Sequence, residues 1–320
     1  MTDIVQIEAA LDEVASGRFS AVRLEKGRVS LVLNVGGLDV RDRGQIEIAV
    51  KSKLLEIEAI EKVDVVMTAE KVARRLIAVG SGKGGVGKST LSTNLAIALK
   101  ALGYKVAMVD ADVYGPSQPR LLNCEGRRPE AEGKQLIPVS NKYDIPVLSM
   151  GHLVKPGQAI AWRGPMAGKA LDQLIDAHWG DAEILIVDMP PGTGDVQLSM
   201  MQQHKPVGAV IVSTPQDLAL MDATRSIDLF TQAEIPIIGM VENMAGYACP
   251  HCGEISDPFG AGGAEAAAKT MSMPFLGRVP LDIEIRKASD GGVPPAVSGG
   301  PQGQAFHDIA KRVATWLDGQ

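Results

Sequence analysis

Leu76-Ile77-Ala78-Val79-Gly80-Ser81-Gly82-Lys83-Gly84-Gly85-Val86-Gly87-Lys88-Ser89-Thr90 is the stretch that decides the fold. An apolar run opens it, a glycine-rich loop with the pattern G-x-x-x-x-G-K-[ST] follows, and Leu91, Leu95, Ala98, Leu99 and Leu102 then recur at helical spacing. Strand, loop and helix in that order make a phosphate loop. Gly82, Gly84, Gly85 and Gly87 free the backbone around Val86 to turn its N–H groups onto phosphate oxygens, and the helix N-terminus adds a partial positive charge. Lys88 is expected to reach the β- and γ-phosphates and Ser89 to ligate Mg²⁺, with Thr90 closing the loop. A glycine-rich turn that binds nothing is the bland alternative, and the flanking strand and helix argue against it.

Outward from this loop, further apolar runs appear at Val106–Val109, Ile184–Val187, Val207–Val212 and Ile235–Val241, separated by helical patterns. Runs apolar at consecutive positions suit strands buried on both faces. The fold class expected is therefore α/β, a doubly wound, mostly parallel sheet of P-loop NTPase type, with ligands at the carboxyl ends of its strands. Phe306, Ile309, Ala310, Val313, Trp316 and Leu317 share one face of a final helix that packs on the sheet, and Gly291–Gly303 reads as a loop. Residues 1–70 form a separate small α/β unit. In it Ile4, Ile7, Leu11 and Val14 are helically spaced, Val29–Leu33 is strand-like, residues 44–59 suit a second helix and Val63–Met67 a closing strand. The charged stretch Ala69–Arg75 marks the boundary, leaving 71–320 as the P-loop domain.

Composition bounds the function. The chain has 320 residues, 45% apolar and 22% charged, enough for two packed domains. Its 32 Lys plus Arg against 38 Asp plus Glu give a net charge of -6, and aromatics are only 4%, which argues against a nucleic-acid partner. No apolar run approaches the ~20 residues of a membrane helix, no basic, apolar leader opens the chain, and three cysteines make no disulfide framework. A cytoplasmic, reducing location without membrane attachment is expected.

Lys83 is the finer clue in the loop. A second cation just after the first glycine is badly placed for its own phosphates and suited to a neighbouring subunit's nucleotide, as trans-acting arginines are. The loop resembles the deviant Walker A motif of partitioning and septum-placing ATPases, nitrogenase iron protein, arsenite-pump ATPases and iron–sulfur carrier ATPases. That resemblance implies a homodimer in which Lys83 crosses to the partner's ATP. A solvated loop lysine is the bland reading.

Phosphoryl transfer also needs an acid for Mg²⁺ and a group that orients water. Asp188 ends the run Ile184–Val187 and leads into Met189-Pro190-Pro191-Gly192-Thr193-Gly194-Asp195, a Walker B strand with a switch-like loop whose Gly192 amide is placed to sense a γ-phosphate. Asp110 and Asp112 follow the run Val106–Val109. Resemblance to the deviant-Walker families implies that Asp112 positions water and contacts Mg²⁺, with Asp110 behind it; a strand-end aspartate can also be only a helix cap. Asn141-Lys142-Tyr143-Asp144 matches the guanine-reading NKxD pattern but precedes Asp188 by more than forty positions, so it is read as a chance turn. Asn243, ending the run from Ile235, is the better base-reading candidate, and related ATPases read adenine with an asparagine there. Arg278-Val279-Pro280 is expected to close over the base as a loop.

Cys249-Pro250-His251-Cys252 lies in a glycine-flanked loop, and Cys124 stands alone. A C-x-x-C pair supplies two thiolates, so a four-thiolate centre needs two subunits, the stoichiometry that Lys83 suggests independently. A redox pair or two inert cysteines compete with this reading, and four thiolates alone do not separate zinc from an iron–sulfur cluster. Cys124 is read as a structural thiol.

Taken as a set, the residues resemble the Mrp/ApbC-type iron–sulfur cluster carrier ATPases. Gly82–Thr90, Asp110–Ser117, Trp162–Met166, Asp188–Asp195, Ser213–Gln216, Glu242–Met244 and Cys249–Cys252 carry the resemblance across about residues 76–290. It implies a dimer that holds a [4Fe–4S] cluster through Cys249 and Cys252 of each subunit and uses ATP and Mg²⁺ while passing the cluster to apo-proteins. The N-terminal unit resembles the assembly-factor appendage of bacterial members but lacks its cysteine in Val35–Val40, so protein docking rather than metal binding is expected of it. The alternatives are a MinD/ParA-like partner-switch or positioning ATPase and a metal-insertion NTPase for another metal. Ala305–Gln320 carries only Lys311 and Arg312, too few cations for a membrane-surface helix, and the positioning reading leaves both loop cysteines unexplained.

Overall fold

The computed structural model describes residues 4–36, 38, 40–68, 74–133, 135–154, 164–249 and 251–320. The chain divides into two compact units, Met1–Ala73 and Arg74–Gln320. Most of the charged boundary stretch, residues 69–73, lies outside the described residues, as do Gly37, Asp39, Trp162, Arg163 and Pro250.

The first unit runs α1 (Ile4–Ala15), β1 (Phe19–Glu25), β2 (Arg28–Asn34), α2 (Val40–Leu55) and β3 (Lys62–Thr68). β1 pairs antiparallel with β2, and β2 parallel with β3. The stripe Ile7, Leu11 and Ala15 of α1 meets Val29, Leu31 and Leu33 of β2 and Val50 and Leu54 of α2 in a core of its own. The helix expected over 44–59 begins earlier, at Val40, and ends at Leu55. β1 escapes a pattern search because a bulge between Ser20 and Arg23 breaks its alternation.

The second unit begins with β4 (Arg75–Gly80), α3 (Lys88–Ala101), β5 (Val106–Asp110), α4 (Gln118–Leu121), the small antiparallel pair β6 (Glu130–Glu132) and β7 (Gln135–Ile137), β8 (Val147–Ser149), α5 (Gly164–Ile175) and β9 (Ile184–Asp188). It continues with α6 (Asp195–His204), β10 (Gly208–Ser213), α7 (Asp217–Gln232), β11 (Ile237–Asn243), the hairpin β12 (Tyr247–Ala248) and β13 (Ile255–Ser256), α8 (Gly263–Thr270), β14 (Phe275–Val279), α9 (Ile283–Asp290) and α10 (Pro301–Asp318). Seven strands form one parallel sheet in the order β14-β11-β10-β4-β9-β5-β8. Alternate residues of β4 face opposite layers: Ile77 and Val79 pack with Leu91, Leu95, Phe306 and Val313 of α3 and α10. Leu76 and Ala78 pack with Leu171 of α5 and Phe230 of α7 on the other side. Burial on both faces is why these strands read as continuous apolar runs. The edge strands β8 and β14 were not legible that way, being short or interrupted by Gly277 and the exposed Arg278. The stretch read as the loop Gly291–Gly303 holds a 3₁₀ turn at Pro295–Val297 and the first turn of α10.

Candidate nucleotide site and cysteine hairpin

β4 is central in the sheet, and the loop after it opens at the carboxyl ends of its neighbours, where the strand order reverses. Gly82, Gly85 and Gly87 each answer a local demand. A Cβ on Gly82 would lie 2.0 Å from the backbone of Asp222 in α7, and Gly85 and Gly87 sit at φ 79° and 83°, where a side chain is strained. A cavity of about 510 Å³ lies over the loop, lined by Lys83, Lys88, Ser89, Thr90, Asp112 and Tyr114 among others.

Beneath that floor is a closed polar network. Lys88 Nζ donates to Asp188 Oδ1 at 2.5 Å, Ser92 Oγ donates to the same oxygen at 3.0 Å, and Gln118 Nε2 donates to Oδ2 at 2.8 Å. Asp188 is wholly buried behind Lys88 rather than on the cavity wall, so the expected Mg²⁺ acid is here the counterion of the loop lysine. Asp110 lies opposite Asp188 in the β5–β9 register and accepts from Ser149 Oγ (2.9 Å), Gln118 N (3.1 Å) and Asp112 N (3.2 Å). Burial, then the neighbouring Asp188 charge, pushes the Asp110 carboxyl up to about 7. Asp112 does reach the cavity, and its Oδ1 accepts from Tyr114 N and Gly115 N, so it caps its own loop as well. The Gly192 amide donates to Ser81 O at 3.0 Å, and Gln197 holds the surrounding turn through Pro190 O and Gly192 O. Lys83 Nζ turns to Gln216 Oε1 of its own chain at 3.3 Å.

A second cavity, about 390 Å³, shares Gly87, Ser89, Thr90 and Met244 with the first and is lined further by Asn243 and Pro280. Asn243 and Pro280 therefore stand together beside the loop. Arg278 does not join them. It lies in β14, not in a loop, where its Nε donates to the buried Glu242 at 2.9 Å and its guanidinium also pairs with Glu265. Two carboxylates outcompete a neutral base for that guanidinium. Asn141–Asp144 is a turn: Asn141 bonds Ile145 O and Tyr143 N internally.

Cys249 and Cys252 sit at the tip of the β12–β13 hairpin, half-buried and exposed respectively. Cys249 N donates to Glu254 O at 2.9 Å, and Gly253 N to Cys249 O at 2.8 Å, closing the tip. Backbone N–H groups of Cys252 and His251 face the Cys249 sulfur and hold its pKa below that of an ordinary thiol. The hairpin is anchored on both sides of the second cavity. Asn243, which ends the preceding strand, donates through Nδ2 to Val86 O of the loop at 2.8 Å, and Leu281 N donates to Gly246 O at 3.0 Å. Cys124 is buried and its thiol is pushed up to about 11 by burial, as an inert structural cysteine should be. Among the described residues, no group of three His, Cys, Asp or Glu could hold a metal, and no helix is long and apolar enough to cross a membrane.

The parallel sheet, the glycine-rich loop at its switch point and the buried lysine–aspartate pair define a P-loop NTPase. Comparison with known proteins sharpens this. The family model described as ParA, NUBPL iron-transfer P-loop NTPase, matches residues 72–314, and the chain belongs to that family. An iron–sulfur protein required for NADH dehydrogenase in Arabidopsis thaliana mitochondria is 47% identical over 246 residues, 76% of this chain and 78% of that one. An iron–sulfur cluster carrier protein of Methanocaldococcus jannaschii is 42% identical over 247 residues, 76% of this chain and 85% of its own. A nucleotide-binding protein from Archaeoglobus fulgidus, solved in complex with ADP, superposes with a TM-score of 0.63 at 38% identity, covering 73% of this chain and 91% of that one. The cell-division ATPase MinD of Pyrococcus furiosus (TM-score 0.57, 24% identity, 76% and 99% covered) shares the fold.

Proposed function

We propose that this iron–sulfur carrier-family NTPase works as a cytoplasmic homodimeric Mg²⁺-ATPase whose cargo is a [4Fe–4S] cluster, held by Cys249 and Cys252 of both subunits and passed to apo-proteins. One observation carries the reading: the cysteine pair, Cys252 exposed and Cys249 half-buried, springs from the strand end at Asn243, whose side chain bonds the phosphate loop at Val86. Cargo site and nucleotide site are thus neighbours along one backbone. Two thiolates per chain leave a four-thiolate cluster half-ligated, which a second subunit completes.

In this reading ATP phosphates lie along Gly82–Thr90, with Lys88 drawn from Asp188 toward the β/γ-phosphates. Ser89 and Asp112, with Asp188 released behind them, hold Mg²⁺, and Asp112 orients the attacking water. Lys83 serves the partner subunit's nucleotide, and Gly192 reports the γ-phosphate by exchanging its bond to Ser81. Asn243 and Pro280 take the base. The relatives' names, iron–sulfur cluster carrier and transfer proteins, support the cargo, and the ADP complex of the Archaeoglobus fulgidus protein supports the nucleotide.

Anaerobic reconstitution with iron and sulfide tests it. Wild type should hold about four irons and four sulfides per dimer, and Cys249→Ser/Cys252→Ser should lose them while binding ATP unchanged. Retained iron in the double variant would refute the ligand assignment. Wild type that hydrolyses ATP but takes up no cluster would refute the cargo.

A further inference from the structure

The second cavity contains a polar group with no use inside the protein. Ser289, on α9 one turn beyond Ile285, lines the cavity, is 5% exposed, and its Oγ has no hydrogen-bond partner among the described residues. A helical serine or threonine ordinarily returns such a hydroxyl to the carbonyl four residues back, as Thr224 does to Leu220 O and Thr231 to Ile227 O in this chain. Leaving a buried hydroxyl unmade is costly, so an orphan on a cavity wall marks a place for a ligand atom.

The wall it belongs to narrows the chemistry. Asn243, Met244 and Pro280 line this cavity, and the Asn243 Nδ2 is already committed to Val86 O. Met244 and Pro280 offer apolar contact and Asn243 Oδ1 an acceptor, a set suited to a base. Ser117 and Ser289 add two hydroxyls to a lining that also holds the charged Arg120, Asp282, Arg286 and Asp290, and Ser117 makes no capping bond to α4. The same cavity reaches the phosphate loop at Ser89 and Thr90, so a nucleotide with its phosphates on that loop and its base against Asn243 and Pro280 would bring its sugar into this space. We infer that Ser289 is a specificity residue that bonds a ribose hydroxyl and makes this NTPase prefer ribonucleotides to deoxyribonucleotides. A serine hydroxyl reaches such a partner by one staggered step about Cα–Cβ, without backbone movement. The inference rests on the reading of the loop as an ATP site and adds the sugar contact to it.

Calorimetric titration of the full chain with ATP, 2′-deoxy-ATP and 3′-deoxy-ATP, for wild type and Ser289→Ala, tests this. Wild type should bind ATP about fivefold tighter than at least one deoxy analogue. Ser289→Ala should lose about that factor for ATP alone and bind ATP and the analogue equally, with its thermal midpoint unchanged or raised because no internal bond is lost. Wild-type discrimination persisting in Ser289→Ala would overturn the assignment. So would an equal loss for ATP and both analogues, which a merely structural residue gives. Failure of wild type to bind any of the three would overturn the ATP reading instead, and the sugar contact with it.

Discussion

Gly87→Ala puts a close contact in the nucleotide site under test. Gly87 sits at φ 83°, and a Cβ there would lie 2.0 Å from Asn243 Nδ2. Holding alanine in the left-handed region costs ~1–2 kcal/mol. Driving the buried Asn243 carboxamide aside forfeits its bond to Val86 O, ~1 kcal/mol, and forces overpacking worth ~1–3 kcal/mol. The smaller freedom of alanine in the unfolded chain returns ~0.4–1 kcal/mol. The net loss is about 2–5 kcal/mol, which for a unit of this size lowers the thermal midpoint by ~5–15 °C. Gly85→Ala is the internal control: φ is 79° but the Cβ meets nothing within 4 Å, so only the strain remains and the midpoint falls by ~1–4 °C. Calorimetry of both variants, of Asn243→Ala and of Gly87→Ala/Asn243→Ala completes a cycle. Removing Asn243 relieves the collision, so the double variant should be more stable than the sum of the single losses by at least ~1 kcal/mol. Additive losses, or Gly87→Ala no worse than Gly85→Ala, would refute the reasoning.

Three further outcomes are expected. Lys88→Ala should abolish ATP binding and, by stranding the buried Asp188 carboxylate, destabilise the fold by up to ~3–5 kcal/mol; normal ATP affinity would refute the role. Lys83→Ala and Asp112→Ala should each hydrolyse ATP ~10³-fold more slowly, yet a mixture should regain activity in hybrid dimers, where an intact Lys83 meets an intact Asp112 across the interface; a mixture as inert as its parts would sink the trans role. Asp110→Asn should change the pH profile of stability. With its carboxyl held at about 7 against an ordinary 3.8, the folded chain keeps a proton that the unfolded chain has released, so wild-type stability falls as pH rises from ~4 to ~7, by up to ~1.4 kcal/mol per pH unit, and levels off above. Melting of wild type and Asp110→Asn between pH 5 and 8 should show that slope only in wild type, and parallel curves would count against a proton on Asp110.

The comparison of sequence with structure turns on the range over which each interaction acts. The phosphate loop was legible because its demands are local: glycine at the left-handed positions, a strand before, a helix after. The five apolar runs became β4, β5, β9, β10 and β11, shifted at their ends by one or two residues, because burial on both faces writes itself into consecutive positions. β10 begins at Gly208 rather than Val207, and β11 at Ile237, just past Pro236. Asn141–Asp144 was read as a turn from its place in the chain, and its bonds are those of a turn. Arg278 went the other way. Its neighbours Val279 and Pro280 suggested a loop, but Glu242, distant in sequence and beside it in the β11–β14 register, claims its guanidinium.

By itself the sequence determined the phosphate loop, the alternation of strands and helices, and the cysteine pair, since each is a statement about residues close along the chain. Tertiary structure alone decided that Lys88 answers Asp188 a hundred residues on, that Asn243 fills the space over Gly87, and that Ser289 faces a cavity with its hydroxyl unspent. Those pairings follow from the strand order β11-β10-β4-β9-β5, in which β4 lies between two strands encoded far beyond it. Periodicity shows which face of a strand is buried, whereas only the assembled sheet shows which strand lies beside it.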